Sequence, residues 1–162
     1  MSPRVDGWRK ALALCGAVVA LDQIAKAIID AALTPAQRID LGLGFRLTEV
    51  RNRGVAFGLL GEGGTAVLVI TVAALVLILG YFAFDPARRG LWIATGLLAG
   101  GALGNLADRV RADAVVDFID PPLWPAFNLA DVAIVAGIAA LFLVHGPALV
   151  GSTEPAGAAP DR

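Results

Sequence analysis

Two aspartates stand where neither a solvated loop nor an apolar helix has an obvious use for them. The segment Val115-Val116-Asp117-Phe118-Ile119 sets one carboxylate among apolar side chains, and Asn128-Leu129-Ala130-Asp131 opens a long apolar run with another. Carboxylates held about 3 Å apart cannot both ionise easily, so such a pair shares a proton, one member serving as base and the other as acid. The base takes a proton from water, the water attacks an amide carbonyl, and the acid protonates the leaving nitrogen. Such chemistry requires no cofactor, and its apparent pKa values belong to the pair. Taken alone, Asp131 has a plainer reading, an acidic residue in the first turn of a helix that Asn128 caps. Asp108 competes for a catalytic place, but with Arg109 beside it and Asn105 one turn back it suits a paired structural carboxylate. The apolar neighbours of Asp117 make a raised pKa easier to sustain.

The rare residues exclude most other hydrolytic chemistry. Cys15 is the one cysteine and His145 the one histidine, so an intrachain disulfide, a thiolate metal cluster and a two-histidine zinc site are all ruled out. Serine occurs only at Ser2 and Ser152, near the chain ends, where a rigidly positioned nucleophile is not expected. His145 lies fourteen residues beyond Asp131, roughly 21 Å along a helix, and so belongs to the opposite end of that element. Asp22 and Lys26 are four apart on an apolar helix and share a face. An unpaired ion at mid-bilayer costs about 2.5–3.5 kcal/mol on insertion scales, so the two read either as a structural ion pair or as organisers of a site above them.

The elements that must carry these residues are apolar. Of 162 residues 57% are AVILMFWYC, only 17% are charged, and mean hydropathy is +0.74. That is too apolar for a water-soluble domain, and a net charge of −1 offers no basic footprint for nucleic acid. Four stretches approach spanning length, at about residues 11–29, 65–84, 91–107 and 129–149, and residues 1–150 read as a single membrane domain. The tail, 151–162, reads as disordered. Gly96, Gly100 and Gly104 form a small-residue stripe for close helix packing. A short breaker-rich turn joins the second and third stretches, whereas residues 30–64 and 108–128 form long polar connections on the other side. Arg9, Lys10, Arg88 and Arg89, close to span ends, favour the short-turn side as cytoplasmic. The basic, then apolar N-terminus also imitates a cleavable secretory signal, but Lys26 would fall in its cleavage site, so a retained first helix is expected. Alternation from Phe45 to Arg51 predicts a short strand over a half-buried surface, followed by a turn at Asn52-Arg53-Gly54, as part of a small sheet resting at the membrane surface.

Five motifs in order, Asp22-Gln23-Ile24-Ala25-Lys26, Asn52-Arg53-Gly54-Val55-Ala56-Phe57, Gly104-Asn105-Leu106-Ala107-Asp108-Arg109, Val116-Asp117-Phe118 and Phe127-Asn128-Leu129-Ala130-Asp131, resemble those of the lipoprotein signal peptidases, or signal peptidase II, over about residues 11–145. The resemblance implies an all-α polytopic membrane protein, with four transmembrane helices, a small extracytoplasmic β-cradle and a short periplasmic helix. It implies an aspartic endopeptidase of the bacterial cytoplasmic membrane, both termini inside and the site near the outer leaflet. Its substrates would be diacylglyceryl-modified prolipoproteins, cut just before the lipidated cysteine. By motif the catalytic pair is Asp117 and Asp131. Asp22, Lys26, Asn52, Gly54, Asn105, Asp108, Arg109 and Asn128 match positions that support substrate or dyad. The resemblance further implies contact with membrane lipids, inhibition of the globomycin type, a monomer, and no metal or cofactor. The stretch between Asp117 and Asp131 is short and proline-rich, a departure that bears on substrate gating. A different class, a small transporter or proton-pathway subunit using intramembrane Asp22, Lys26 and Asp131, is the alternative.

Overall fold

The computed structural model of the chain describes residues 2–34, 37–54 and 64–150. The motif residues Val55, Ala56 and Phe57 and the tail from Gly151 lie outside them. The described residues form four helices: α1 (Pro3–Ala32), α2 (Gly64–Phe84), α3 (Leu91–Ala112) and α4 (Leu129–Val150). α1 starts eight residues before the apolar stretch because Ser2 caps it, its hydroxyl accepting from the Val5 amide, and Pro3 fits the first turn, where no amide hydrogen is needed. α3 is the middle of the bundle and packs against α1, α4 and α2.

The packing reverses that of a water-soluble domain. Leu12, Leu21, Ile28, Val76, Leu77 and Leu143 face outward, while Asp22, Lys26, Asn105, Asp108 and Asn128 are buried. Among the described residues three helices are long and apolar enough to cross a membrane: Pro3–Ala32, Thr65–Phe84 and Leu129–Gly146. α3 is not among them; it packs on the other helices, and its last two turns carry Asn105, Asp108, Arg109 and Arg111.

Its glycines are the reason the bundle closes. A Cβ on Gly96 would lie 2.9 Å from the Leu14 side chain, one on Gly100 2.7 Å from Val18, and one on Gly104 2.8 Å from Asp22 Oδ2. The small-residue stripe therefore seats α1 and lets a carboxylate approach the α3 backbone. On the next face a Cβ on Gly101 would meet the Ala130 carbonyl oxygen at 2.4 Å, so α4 docks there just as closely.

A three-stranded antiparallel sheet, in the order β1-β2-β3, covers one end of the bundle: β1 (Arg38–Gly42), β2 (Phe45–Asn52) and β3 (Val115–Asp120). β2 is the strand expected from Phe45 to Arg51, one residue longer. The small sheet expected around it is present, but β1 was not located in the sequence, and β3 occupies what reads there as loop. β1 escapes a period-2 reading because all five of its residues are exposed. Phe118 packs with Ile29 and Leu33, which seats the sheet on the end of α1. Phe127 then bridges back to Ile119, its carbonyl accepting from the Phe118 and Ile119 amides and its own amide donating to the Ile119 carbonyl. That bridge folds the proline-rich loop onto itself and starts α4 beside β3. The short periplasmic helix implied by the resemblance has no counterpart among the described residues.

Candidate active site

Two levels of polar side chains meet where β3, the start of α4 and the last turns of α1 and α3 converge. The deeper level is ionic. Lys26 Nζ lies 2.7 Å from Asp22 Oδ2, 2.7 Å from Asp108 Oδ2 and 3.1 Å from Asn105 Oδ1. Asp22 Oδ1 accepts from the Ala130 amide at 3.0 Å, one of the donors at the start of α4 that has no partner within its helix. Asp108 Oδ1 accepts from Gln23 Nε2 at 2.8 Å, and Asp108 Oδ2 faces the Val116 amide at 3.4 Å. This level ties α1 to α3, to the first turn of α4 and to β3. The partner of Asp108 is thus Lys26, and not Arg109 as its position in sequence suggested.

Above it three asparagines hold the two aspartates. Asn52 and Asp117 are diagonal neighbours on one face of the β2/β3 pair, since Asn52 stands opposite Val115. Asn52 Nδ2 donates to Asp117 Oδ2 at 2.9 Å, while its Oδ1 accepts from the Gly54 amide at 3.0 Å. That turn at Gly54 fixes which end of the amide faces the carboxylate. Asn128 caps α4 reciprocally: its Oδ1 accepts from the Asp131 amide at 3.0 Å, and Asp131 Oδ2 accepts from the Asn128 amide at 3.2 Å. The freed Asn128 Nδ2 donates to Asp117 Oδ1 at 2.7 Å and to Asn105 Oδ1 at 3.1 Å. Asn105 Nδ2 completes the ring on Asp131 Oδ1 at 2.8 Å.

Every carboxylate oxygen of the pair therefore has one protein donor and keeps acceptor capacity for a proton or a water. Burial pushes the Asp117 carboxyl up to about 6. The charge of Asp131 adds to the rise, and the Asn52 and Asn128 hydrogen bonds and Lys26 oppose it. Because the orienting groups are neutral amides, none of them fixes which carboxylate carries the proton.

Two apolar grooves open on either side of Asp131. One, of about 420 Å³, runs along α4 under Trp124 and Phe127; the other, of about 270 Å³, lies between α2, α3 and α4 with Asn105 and Arg109 at its polar end. Asp131 lines both grooves.

The family model and the named relatives agree on one family. Residues 14–145 match the family model described as signal peptidase (SPase) II. The chain belongs to the signal peptidase II family. A lipoprotein signal peptidase of Moorella thermoacetica is 43% identical over 123 residues, covering 75% of this chain and 82% of the relative. Another, of Syntrophotalea carbinolica, is 39% identical over 147 residues, covering 85% and 91%. Among solved structures, a bacterial membrane enzyme determined by the in meso method superposes with a TM-score of 0.77 at 29% identity, covering 94% of each chain. A second such enzyme gives 0.76 at 31%, covering 88% of this chain and 94% of its own.

Within this signal peptidase II chain the residues singled out in sequence fall into one cluster. Asp22, Lys26, Asn52, Asn105, Asp108, Asp117, Asn128 and Asp131 form one connected set of contacts, Gly54 orients Asn52, and Arg109 lines a groove with Asp131. Gln23 was missed as a site residue. It donates to Asp108 and accepts from Arg111 Nη1 at 2.7 Å. Its signal was available, a polar residue beside Asp22 in an otherwise apolar run. His145 pairs with Tyr81 and the Leu141 carbonyl near the far end of α4, away from the cluster.

Proposed function

We propose that this member of the family is an aspartic endopeptidase whose catalytic pair is Asp117 and Asp131. It removes the signal peptide from diacylglyceryl-modified bacterial prolipoproteins, cutting just before the lipidated cysteine. The observation that carries the reading is Asn128, one amide that caps α4 on Asp131 and donates to Asp117, so that two carboxylates from distant segments share a single mount.

In this mechanism the pair holds one proton between them. The ionised member removes a proton from a water, which attacks the scissile carbonyl; the protonated member gives its proton to the departing nitrogen as the carbon–nitrogen bond breaks. The products are a free signal-peptide carboxylate and a new amino terminus on the lipidated cysteine. No metal or cofactor enters. Asn105, Asn128 and Asn52 orient the pair, Lys26, Asp22 and Asp108 brace it from below, and Arg109 faces substrate.

In the same reading α3 is a fourth span and residues 1–150 are one membrane domain in the bacterial cytoplasmic membrane. The termini are cytoplasmic and the sheet is on the outer side. The enzyme acts as a monomer, and inhibitors of the globomycin type would compete for the grooves.

The test is a purified enzyme offered a prolipoprotein with and without its diacylglyceryl group. Cleavage of the modified form alone is expected, and Asp117→Asn and Asp131→Asn should each lower it by at least about 100-fold, the scale of a lost acid or base. Near-normal turnover by either variant, at equal protein level, refutes the assignment.

A further inference from the structure

The sheet end of the molecule carries an apolar tip made from two separate loops. Register places Gly42 opposite Phe45, leaving Leu43 and Gly44 as a two-residue hairpin loop, with φ of 54° and 81°. Both being positive is the backbone of a type I′ turn, whose first position ordinarily goes to Asn, Asp or Gly. Here a leucine occupies it, and it is 96% exposed. Leu123, in the loop between β3 and α4, repeats the anomaly with φ of 64° and a fully exposed side chain. The two loops touch, since a Cβ on Gly44 would lie 3.2 Å from Pro122 Cγ. Leu41 and Trp124, both largely exposed, flank the leucines.

The geometry points to this tip as a lipid-inserting anchor, seated at the headgroup–acyl boundary of the leaflet on the sheet side. The observation that selects lipid over a protein partner is continuity. Trp124 also walls the groove along α4 shared with Val132 and Val135, whose outward side chains belong to the surface of a membrane-crossing helix. Apolar side chains therefore lead from α4 to Trp124 and its neighbour Leu123, and Pro122 joins that loop to the one carrying Leu43. A tryptophan at the rim of such a surface suits the interface, where one end of its ring is apolar and the other wet. Anchoring at two points would hold β2 and β3, and with them Asn52 and Asp117, at a fixed depth beside α4.

Fluorescence of Trp124 tests this independently of the hydrolytic reading. In Trp8→Phe/Trp92→Phe protein reconstituted in phosphatidylethanolamine–phosphatidylglycerol vesicles, Trp124 should emit at blue-shifted wavelength. Lipids brominated on the acyl carbons nearest the headgroup should quench it more than lipids brominated near the chain end. Adding Leu43→Ser and Leu123→Ser should shift emission to the red and remove most of that quenching. Quenching by aqueous iodide with none by bromolipid would put the tip in water, free to meet an exported protein, and overturn the proposal; so would serine variants that leave the depth unchanged. Should the tryptophan variants fold poorly, Leu123→Cys in a Cys15→Ala background, carrying an environment-sensitive label, reads the same depth with the same opposing outcomes.

Discussion

Asn52 illustrates how a side chain that cannot titrate sets the titration of one that does. Its hydrogen bond pulls the Asp117 pKa down while burial pulls it up, and the balance stands at about 6. The negative charge of Asp131 is one of the causes of the rise, so this value describes loss of the last proton shared by the pair. The form with one proton is the active one, and activity should therefore decline as pH rises through that value. Asn52→Ala removes a lowering influence, so the Asp117 pKa rises and the alkaline limb of kcat/KM moves to higher pH. The rate at its optimum should fall about 10–100-fold, the cost of losing one hydrogen bond to a charged group. A pH–rate profile on lipid-modified substrate checks both, and a limb that moves to lower pH would contradict the proton assignment. Stability follows the same sign. Asp117 ionises near 4 when unfolded and near 6 when folded, so it favours the folded state less as pH rises between those values. Asp117→Asn should flatten that part of the unfolding-temperature profile.

The elements meet at two kinds of joint, one ionic and one steric. Lys26 is the ionic joint between α1 and α3, buried with Asp22 and Asp108 on either side. Lys26→Met strands two buried carboxylates and should cost about 3–5 kcal/mol, the penalty of breaking a buried pair. Thermal unfolding in detergent measures it, and Asp22→Asn/Lys26→Met should lose less than the two single losses combined, because each single variant leaves an unpaired partner. Gly101 is the steric joint. Gly101→Ala drives a methyl into the Ala130 carbonyl and should cost about 1–3 kcal/mol while displacing the neighbouring Asp131, whereas Gly16→Ala, with open space around it, should be close to neutral. A cleavage loss for Gly101→Ala that merely tracked its stability loss would show that Asp131 had not moved. These joints mark the limit of what the sequence discloses. Asp22, Lys26, Asn105 and Asp131 are conspicuous because polar residues in apolar runs need a reason, and the glycine stripe announces close packing. Neither says which helix fills which groove, so Asp108 looks like a partner for Arg109 until α1 brings Lys26 to it. β3 reads as loop because a strand buried along much of its length lacks the alternation that marks a half-exposed one.

At the scale of the whole molecule, the aspartate pair and the basic residues next to the short helix–helix turn lie at opposite ends, while Arg46 and Arg51 on the sheet are paired with Asp120, Asp30 and Glu49. The sheet, both aspartates and the apolar tip lie at one end, and Arg4, Lys10, Arg88 and Arg89 gather at the other, where Arg4 donates to the Ala83 carbonyl and Lys10 stands over the Trp92 ring. Orientation in the membrane is set by basic residues in short segments next to span ends, and the six residues holding Arg88 and Arg89 are the shortest link between successive helices. That end should therefore remain inside, which puts the aspartates where an exported, lipid-modified substrate is anchored after translocation. Cysteine labelling reads the topology directly in a Cys15→Ala background. Arg38→Cys, at the start of β1 and away from the apolar tip, should react with a membrane-impermeant maleimide on intact spheroplasts, and Arg89→Cys only after lysis; both positions are exposed, so a difference reports sidedness rather than burial. If Arg89→Cys were the one labelled from outside, the site would face the cytoplasm. The enzyme would then have no access to precursors whose signal peptides have already crossed, even with its aspartate pair intact.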